Sequence, residues 1–103
     1  MSNNSGFEQT SYADQVVIVT GAASGIGRSA AQLIASRGAS VICVDLNQAG
    51  LDQTVSEIKT AGGIAESEIL DISNQSGVME LITTLGSKHK RIDALVNCAG
   101  YPG

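Results

Sequence analysis

The segment Thr20-Gly21-Ala22-Ala23-Ser24-Gly25-Ile26-Gly27 decides the fold of this chain of 103 residues. Three glycines fall within its eight residues, directly after the apolar run Val16-Val17-Ile18-Val19 and directly before a helical pattern. The amino terminus of a helix presents unpaired N–H groups and a partial positive charge, and a phosphate placed there satisfies both. Spaced glycines between a buried strand and a helix therefore predict a phosphate-binding turn, and this context is more informative than the glycines alone.

The three glycines have different predicted roles. Gly21 is expected to adopt a positive φ and to turn the chain sharply out of the strand. Gly25 and Gly27 lack the Cβ that would hold a diphosphate away from the turn or keep the helix away from the sheet. We therefore expect this segment to hold the diphosphate of a dinucleotide.

The rest of the chain predicts strands and helices in alternation. The predicted strands are residues 15–20, 40–45, 64–70 and 92–97. Unbroken apolar residues in the first, second and fourth are typical of strands that are covered on both faces of a parallel sheet. In the third predicted strand, Glu66 and Glu68 alternate with Ala65 and Ile69, which favours an edge strand with one more solvent-exposed face.

Each of the three predicted helices carries an apolar stripe at helical spacing. The stripes consist of Ile26, Ala30, Leu33 and Ile34 in the first helix, Leu51, Val55 and Ile58 in the second, and Val78, Leu81, Ile82 and Leu85 in the third. Asn47 and Ser73 are the predicted N-caps of the second and third helices. Gly38 and the pair Gly62-Gly63 are expected to end the first two helices.

Short connections between these elements predict right-handed βαβ crossovers and an α/β fold with a doubly wound parallel sheet. We expect about four strands in the order 3-2-1-4, with the first two helices on one face and the third on the other. Because a single helix covers the second face of apolar strands, we expect that face to be under-covered. Leu95 and Val96 are expected to lie on an open edge, so the stability is expected to be marginal. The polar residues 1–14 are expected to form a flexible amino-terminal arm before a domain of residues 15–103.

Composition and charge exclude several classes of partner. The formal net charge is −4, and the six Lys and Arg residues are scattered apart from Lys88, Lys90 and Arg91, which argues against nucleic-acid binding. No apolar run reaches the ~18 residues of a membrane helix. The amino terminus lacks the pattern of a secretory signal, so a cytoplasmic location is expected.

Cys43 and Cys98 are expected to be reduced thiols, and no His or Cys is spaced as a metal ligand around them. In the predicted sheet a third strand separates the two that carry them. Their backbones are then roughly 9 to 10 Å apart at ~4.8 Å per strand. That exceeds the ~7 Å limit for a disulfide.

Asp45 ends the second predicted strand, 18 positions after Gly27. In a doubly wound sheet this strand end lies beside the ribose of a dinucleotide, where a carboxylate can accept hydrogen bonds from both ribose hydroxyls and repel a 2′-phosphate. Ser24 and Leu46 occupy the adjacent positions, where a 2′-phosphate would favour Arg or Lys. The predicted cofactor is therefore NAD rather than NADP. The alternative is that Asp45 only caps the following turn.

Four segments together resemble the cofactor-binding half of the short-chain dehydrogenase/reductase family, in its order and spacing. They are Thr20 to Gly27, Asp45, Asp71-Ile72 and Asn97-Cys98-Ala99-Gly100, within a match that runs from about Tyr12 to the last residue. The resemblance implies a Rossmann-type NAD-binding domain. It also implies that Asp71 hydrogen-bonds the adenine amino group and that the backbone of Ile72 helps to read the ring.

The last segment resembles the Asn-Asn-Ala-Gly sequence that supports the central strand and lines the cofactor in this family. Cys98 stands where the family usually has its second Asn, and we interpret it as a tolerated substitution, because no base or cationic group adjoins it. The full set of predicted cofactor-binding residues is Thr20, Gly21, Ala23, Ser24, Gly25, Ile26, Gly27, Asp45, Leu46, Asp71, Ile72, Asn97, Ala99 and Gly100.

The resemblance implies hydride transfer between a secondary alcohol or ketone and the nicotinamide, with a Tyr, a Lys four residues later and a Ser as catalytic residues. No Tyr-x-x-x-Lys occurs in the sequence: Val16 lies four positions after Tyr12, and no residue stands four positions after Tyr101. We therefore expect the amino-terminal part of an NAD-dependent oxidoreductase, inactive alone and without catalytic or metal-binding residues. The complete parent is expected to act on a small molecule and to form a homo-oligomer.

Two alternatives have different chemistry. A free-standing, non-enzymatic dinucleotide-binding or regulatory module would need the same cofactor residues and no catalytic set. A methyltransferase that binds S-adenosylmethionine also uses a glycine turn and an acidic second-strand end. It does not call for Asp71-Ile72 together with the Asn97 to Gly100 segment, so we disfavour it.

Overall fold

The computed structural model describes residues 12–98, and within them strands and helices alternate as the sequence predicts. The elements are β1 (Val16–Thr20), α1 (Gly25–Ser36), β2 (Ser40–Asp45), α2 (Gln48–Thr60), β3 (Ile64–Ile69), α3 (Gln75–His89) and β4 (Ala94–Asn97). All strand pairs are parallel, and the order across the sheet is β3-β2-β1-β4. The predicted α/β architecture and strand order 3-2-1-4 are confirmed.

β1 is one of the two central strands and is covered on both faces. Its five residues are all buried, which is the physical reason for its unbroken apolar sequence. It pairs with β2 on one side, with Thr20 opposite Val44, and with β4 on the other, with Thr20 opposite Asn97. The carboxyl ends of these strands therefore lie at the same edge of the sheet.

Two clusters of buried side chains lie on opposite faces of the sheet. On one face Val17, Val19, Val41 and Cys43 pack with residues of α1 and α2, among them Ala31, Ala35, Leu51 and Ile58. On the other face Val16, Ile18, Ile42 and Val44 pack with Leu85 of α3. Two helices cover one face and one covers the other, as the crossovers predict.

The predicted buried stripe of α1 is wrong at two positions. Ile26 is 80% exposed and Leu33 is 58% exposed, whereas Gly27, Ala31 and Ala35 are buried. Small side chains allow the helix to lie close to the sheet, so the helix is rotated towards them. Counting large apolar residues gives the helical period but selects a face beside the one that is buried.

The ends of several elements differ from the predicted bounds. Asn47 caps α2 by accepting a hydrogen bond from the N–H of Gly50, as predicted. The cap of α3 is Asn74, which accepts from the N–H of Gly77, and not Ser73. The strands β1, β3 and β4 are one or two residues shorter than predicted at one end.

Both edges of the sheet leave apolar side chains exposed. Leu95 on β4 is 49% exposed, and Ile64 and Ile69 are exposed on β3. The prediction of an open β4 edge is confirmed at Leu95, while Val96 is half-buried. None of the helices within residues 12–98 is long and apolar enough to cross a membrane.

Cys43 and Cys98 are free thiols, and β1 lies between the strand of one and the strand that precedes the other. The predicted separation of the two cysteines by a third strand is confirmed. Burial raises the pKa of the Cys43 thiol to about 11. The described residues contain no cluster of His, Cys, Asp and Glu that could hold a metal ion.

Candidate cofactor-binding site

A cleft of about 380 Å³ lies where the carboxyl ends of the strands converge. It is lined by Gly21, Asp45, Leu46, Leu70, Asp71, Ile72, Ser73 and Asn97. All but Leu70 and Ser73 belong to the predicted cofactor-binding set. The cleft lies at the point where the strand order reverses between β1 and β4, which is where open α/β sheets bind their ligands.

The glycine turn enters this cleft from β1 in the predicted geometry. Gly21 has φ 68° and Gly25 has φ 56°, so both occupy the left-handed region that favours glycine. A Cβ placed on Gly27 would lie 1.9 Å from the carbonyl oxygen of Gly21. Gly27 therefore allows the first turn of α1 to lie directly against the turn that leaves β1.

The first turn of α1 supplies hydrogen-bond donors for an anion. Ser24 is the N-cap residue with an extended backbone, and its hydroxyl makes no capping hydrogen bond. The first helical hydrogen bond runs from the N–H of Arg28 to the carbonyl of Ser24 at 3.2 Å. The N–H groups of Gly25, Ile26 and Gly27 consequently lack helical acceptors. Ser24, Gly25 and Ile26 are exposed, so a ligand can reach this end of the helix.

Asp45 is bound on both of its carboxylate oxygens. Oδ1 accepts hydrogen bonds from the N–H groups of Leu46 at 2.7 Å and Asn47 at 3.2 Å, so the residue does cap the turn after β2. Oδ2 accepts from the N–H of Ala23 at 3.1 Å. Capping of the turn after β2 therefore accounts for Oδ1 only, while Oδ2 joins β2 to the glycine turn. Oδ1 thus accepts two hydrogen bonds and Oδ2 one, so the acceptor site that remains for a ribose hydroxyl is on Oδ2.

Asp71 and Ile72 lie on the far side of the cleft, after the end of β3. The hydroxyl of Ser73 donates to Oδ1 of Asp71 at 2.7 Å, and the N–H of Ser73 donates to the same atom at 2.9 Å. These two bonds lower the pKa of the Asp71 carboxyl, which is exposed and remains ionised at neutral pH. Ile72 is half-buried and packs with Leu70 against the α3 side of the core. The spacing of Asp71 and Ser73, two residues apart, is the sequence signal by which Ser73 can be found.

Thr20 contributes to the site by holding β4. It is buried, and its hydroxyl donates to Oδ1 of Asn97 at 2.7 Å and accepts from the N–H of Cys98 at 3.1 Å. Ala23 is buried as well. Both predicted site residues are thus placed behind the cleft and not in its lining. Ala99 and Gly100 lie outside the described residues.

The electrostatics of the cleft are acidic. Of the residues that line it, only Asp45 and Asp71 carry charge, and no Lys or Arg is among them. The nearest cation along the glycine turn is Arg28, whose guanidinium donates to the carbonyls of Ala23 and Gly50 and to the hydroxyl of Thr54. Arg28 therefore binds acceptors in the turn and in α2, and the sequence did not predict this arrangement.

A four-stranded parallel sheet in the order 3-2-1-4, with a glycine turn that opens the first helix, defines a Rossmann-type α/β protein. The model of the short chain dehydrogenase family matches residues 15–103. The chain belongs to this family and corresponds to its amino-terminal part. The resemblance found in the sequence is confirmed.

Several known proteins are similar to this chain. The cyclopentanol dehydrogenase of Comamonas sp. is 40% identical over 87 residues, which cover 84% of this chain and 35% of that protein. The crystal structure of a hydroxysteroid dehydrogenase from Escherichia coli matches with a TM-score of 0.85 and 34% identity, covering 93% of this chain and 41% of that one. A metagenomic short-chain oxidoreductase in complex with NADP matches with a TM-score of 0.83 and 38% identity, covering 86% and 40%.

These similarities concern a limited part of each relative. The chain spans between 15% and 37% of the length of the first curated relatives that it matches. It also spans about two-fifths of the two solved chains. Over that part, the two solved structures share the fold of this chain.

Proposed function

We propose that this chain is the NAD-binding part of a short-chain dehydrogenase/reductase that interconverts a secondary alcohol and a ketone. The observation that carries the proposal is the acidic cleft in which the carboxylate of Asp45 accepts a hydrogen bond from Ala23 in the glycine turn. This arrangement brings a ribose-binding carboxylate and a phosphate-binding helix terminus to one strand edge.

The diphosphate binds at the start of α1. The free N–H groups of the first helical turn and the helix dipole favour an anion there, and the hydroxyl of Ser24 adds a further donor. The positive φ of Gly25 and the open space around it leave room for phosphate oxygens against the backbone. The residues present therefore fit a dinucleotide diphosphate.

The adenosine half of the cofactor would be held by residues at the ends of β2 and β3. Oδ2 of Asp45 has the remaining acceptor site for a ribose hydroxyl, and the exposed side chain of Leu46 lies next to this residue. Asp71 is ionised and accepts from the adenine amino group, with Ile72 beside the ring. Asn97, at the end of β4, also lines the cleft. When bound, the nicotinamide ring supplies the hydride acceptor or donor, and the residues of this chain bind and orient it.

NAD is preferred over NADP in this proposal, although one similar structure contains NADP. Two carboxylates and no cation among the lining residues repel a 2′-phosphate, which carries close to two negative charges at neutral pH. The guanidinium of Arg28 is engaged by the backbone carbonyls of Ala23 and Gly50. The preference thus rests on the side chains of this chain and not on its relatives.

The test is a comparison of NAD and NADP binding by isothermal titration calorimetry with the 103-residue chain, repeated at two salt concentrations. We expect tighter binding of NAD, and we expect added salt to narrow the difference because it screens repulsion of the 2′-phosphate. Tighter binding of NADP would overturn the NAD assignment. Absence of binding for both cofactors would overturn the function itself.

The activity of the complete parent is part of the same proposal. No Tyr in the sequence is followed by Lys four positions later, so we expect the 103-residue chain to show no dehydrogenase turnover. The parent is proposed to act on a small alcohol or ketone, to be cytoplasmic and to form a homo-oligomer. Robust NAD reduction by the pure chain would contradict the proposal that catalysis requires residues of the complete parent.

A further inference from the structure

Hydrogen bonds hold the two peptide groups in the middle of the glycine turn. The first is held at its carbonyl and at its N–H, and the second is held at its carbonyl. In the peptide that joins Ala22 to Ala23, the carbonyl accepts from the hydroxyl of Thr54 at 2.7 Å and the N–H donates to Asp45 at 3.1 Å. In the next peptide, the carbonyl of Ala23 accepts from Nη2 of Arg28. Ala22, Ala23 and Thr54 are buried.

The direction of a carbonyl fixes the direction of the N–H in the same peptide. Both peptides are trans, so their C=O and N–H bonds point in opposite directions. When Arg28 holds the carbonyl of Ala23 on the inner side of the turn, the N–H of Ser24 must point to the outer side. Ser24 is exposed, and its N–H thus joins the free donors at the start of α1.

Arg28 and Thr54 act as one unit below the turn. Nε of Arg28 donates to Oγ1 of Thr54 at 2.9 Å, and Nη2 also donates to the carbonyl of Gly50 at 3.3 Å. α2 lies close enough for these bonds because Gly50 has no side chain. A Cβ on Gly50 would lie 2.6 Å from the carbonyl oxygen of Ala23. The guanidinium consequently links α1, α2 and the turn, and its planar shape serves acceptors in three directions.

We propose that Arg28 and Thr54 are positioning residues for the diphosphate, which act by orienting the peptides on either side of Ala23. This inference rests on the proposed function and adds a role to two residues outside the cleft. Without Arg28, the peptide between Ala23 and Ser24 is free to rotate, and the phosphate loses a preformed donor. Without the hydroxyl of Thr54, Arg28 loses one acceptor and the carbonyl of Ala22 loses its donor.

The experiment measures the affinities of NAD, ADP and adenosine for the 103-residue chain and its variants Arg28→Met and Thr54→Val. Arg37→Met is the matched control, because Arg37 is exposed at the other end of α1. Circular dichroism and thermal melting define a temperature at which every variant is folded. We expect Kd for NAD and ADP to rise by about tenfold or more in both variants, as loss of charge-assisted bonds predicts. Adenosine, which lacks phosphate, is expected to change by less than about twofold, and the control by no more than that.

The ligand series separates positioning from a general loss of structure. Equal weakening of ADP and adenosine would overturn the inference, because it would show a collapsed cleft and not a misdirected turn. Unchanged NAD affinity in Arg28→Met or in Thr54→Val would overturn it too. If the unmodified chain binds neither NAD nor ADP, the proposed function fails. If it binds both but the variants bind equally well, only the role of Arg28 and Thr54 fails.

Discussion

The carboxylate of Asp45 accepts a hydrogen bond from the backbone N–H of Ala23 at 3.1 Å, so the end of β2 is joined directly to the glycine turn after β1. The proposed ribose-binding residue therefore also stabilises the turn proposed to bind diphosphate. Substitutions at this carboxylate act on both halves of the cofactor site. This dual role separates Asp45 from an ordinary specificity residue that contacts only its ligand.

Replacing Asp45 is expected to weaken NAD binding and to reduce the preference for NAD over NADP. In Asp45→Asn the amide oxygen can replace one carboxylate oxygen and keep the bonds that this oxygen accepts, whereas Asp45→Ala loses all three bonds to the turns. Loss of charge-assisted bonds to the ribose corresponds to about 1.5–3 kcal/mol in NAD affinity. Calorimetric titration of both cofactors measures the effect.

Two further measurements define this prediction. Asp52→Asn, at an exposed position on α2, is the control and is expected to bind NAD as the unmodified chain does. Asp45→Ala is expected to lower the melting temperature more than Asp45→Asn, because Asp45→Ala leaves all three of these N–H groups without an acceptor, whereas the amide oxygen of Asp45→Asn still accepts. Unchanged NAD affinity in both Asp45 variants would reject the ribose role and leave the cap as the sole function of this carboxylate.

The strands and their order could be predicted because their causes are local in the sequence. The apolar run of β1 reflects burial on both faces, and the short loops allow only one hand of crossover. The place of Asp45 in the site followed from the same topology, since parallel strands place their carboxyl ends at one edge. The site role of Asp71 was implied by the family resemblance and not by the topology.

The errors arose where the deciding interaction is non-local or where neighbours compete. The buried face of α1 is set by how closely a helix of small residues approaches the sheet, which a count of large apolar residues does not measure. Ser73 and Asn74 are both capping residues, and Ser73 is engaged by Asp71, so Asn74 caps α3. The network around Arg28 joins residues 26 positions apart in sequence and has no local pattern.

Gly27→Ala is expected to destabilise the fold. The added Cβ would lie 1.9 Å from the carbonyl oxygen of Gly21, so α1 or the turn must move, at a cost of about 1 to 3 kcal/mol for overpacking. Chemical denaturation monitored by circular dichroism measures the free energy of unfolding. The matched control is Gly86→Ala in α3, where a Cβ meets no atom within 4 Å. That variant is expected to gain about 0.5–1 kcal/mol from helix propensity, and similar effects at the two positions would refute the close approach.

Asp93 is expected to make the fold sensitive to acid. The side chain of Arg91 and the N–H of Val16 donate to this carboxylate and lower its pKa. A lowered pKa in the folded state means that the carboxylate stabilises the fold above the unfolded value of about 3.9 and loses this effect as pH falls through the folded value.

The measurement for Asp93 is the free energy of unfolding between neutral pH and about pH 3, a window chosen to span the ordinary pKa of an aspartate. Asp93→Asn is expected to be less stable at neutral pH and to lose less stability on acidification than the unmodified chain. Asp52→Asn serves as the control and is expected to keep the acid dependence of the unmodified chain. Parallel pH curves for Asp93→Asn and the unmodified chain would show that Asp93 does not contribute.

The two thiols are expected to differ sharply in reactivity. Cys43 is fully buried in β2 and burial raises its pKa to about 11, so it remains a protonated thiol at pH 8 and is shielded from reagents. Cys98 is half-buried at the end of β4.

Titration of the native chain with an aromatic disulfide reagent at pH 8 is expected to modify Cys98 first, and Cys98→Ser is expected to remove the fast phase. In denaturant both thiols should react at similar rates, because the burial that protects Cys43 is lost. A fast phase that persists in native Cys98→Ser would mean that the sheet opens readily at β2, against the packing seen on both of its faces.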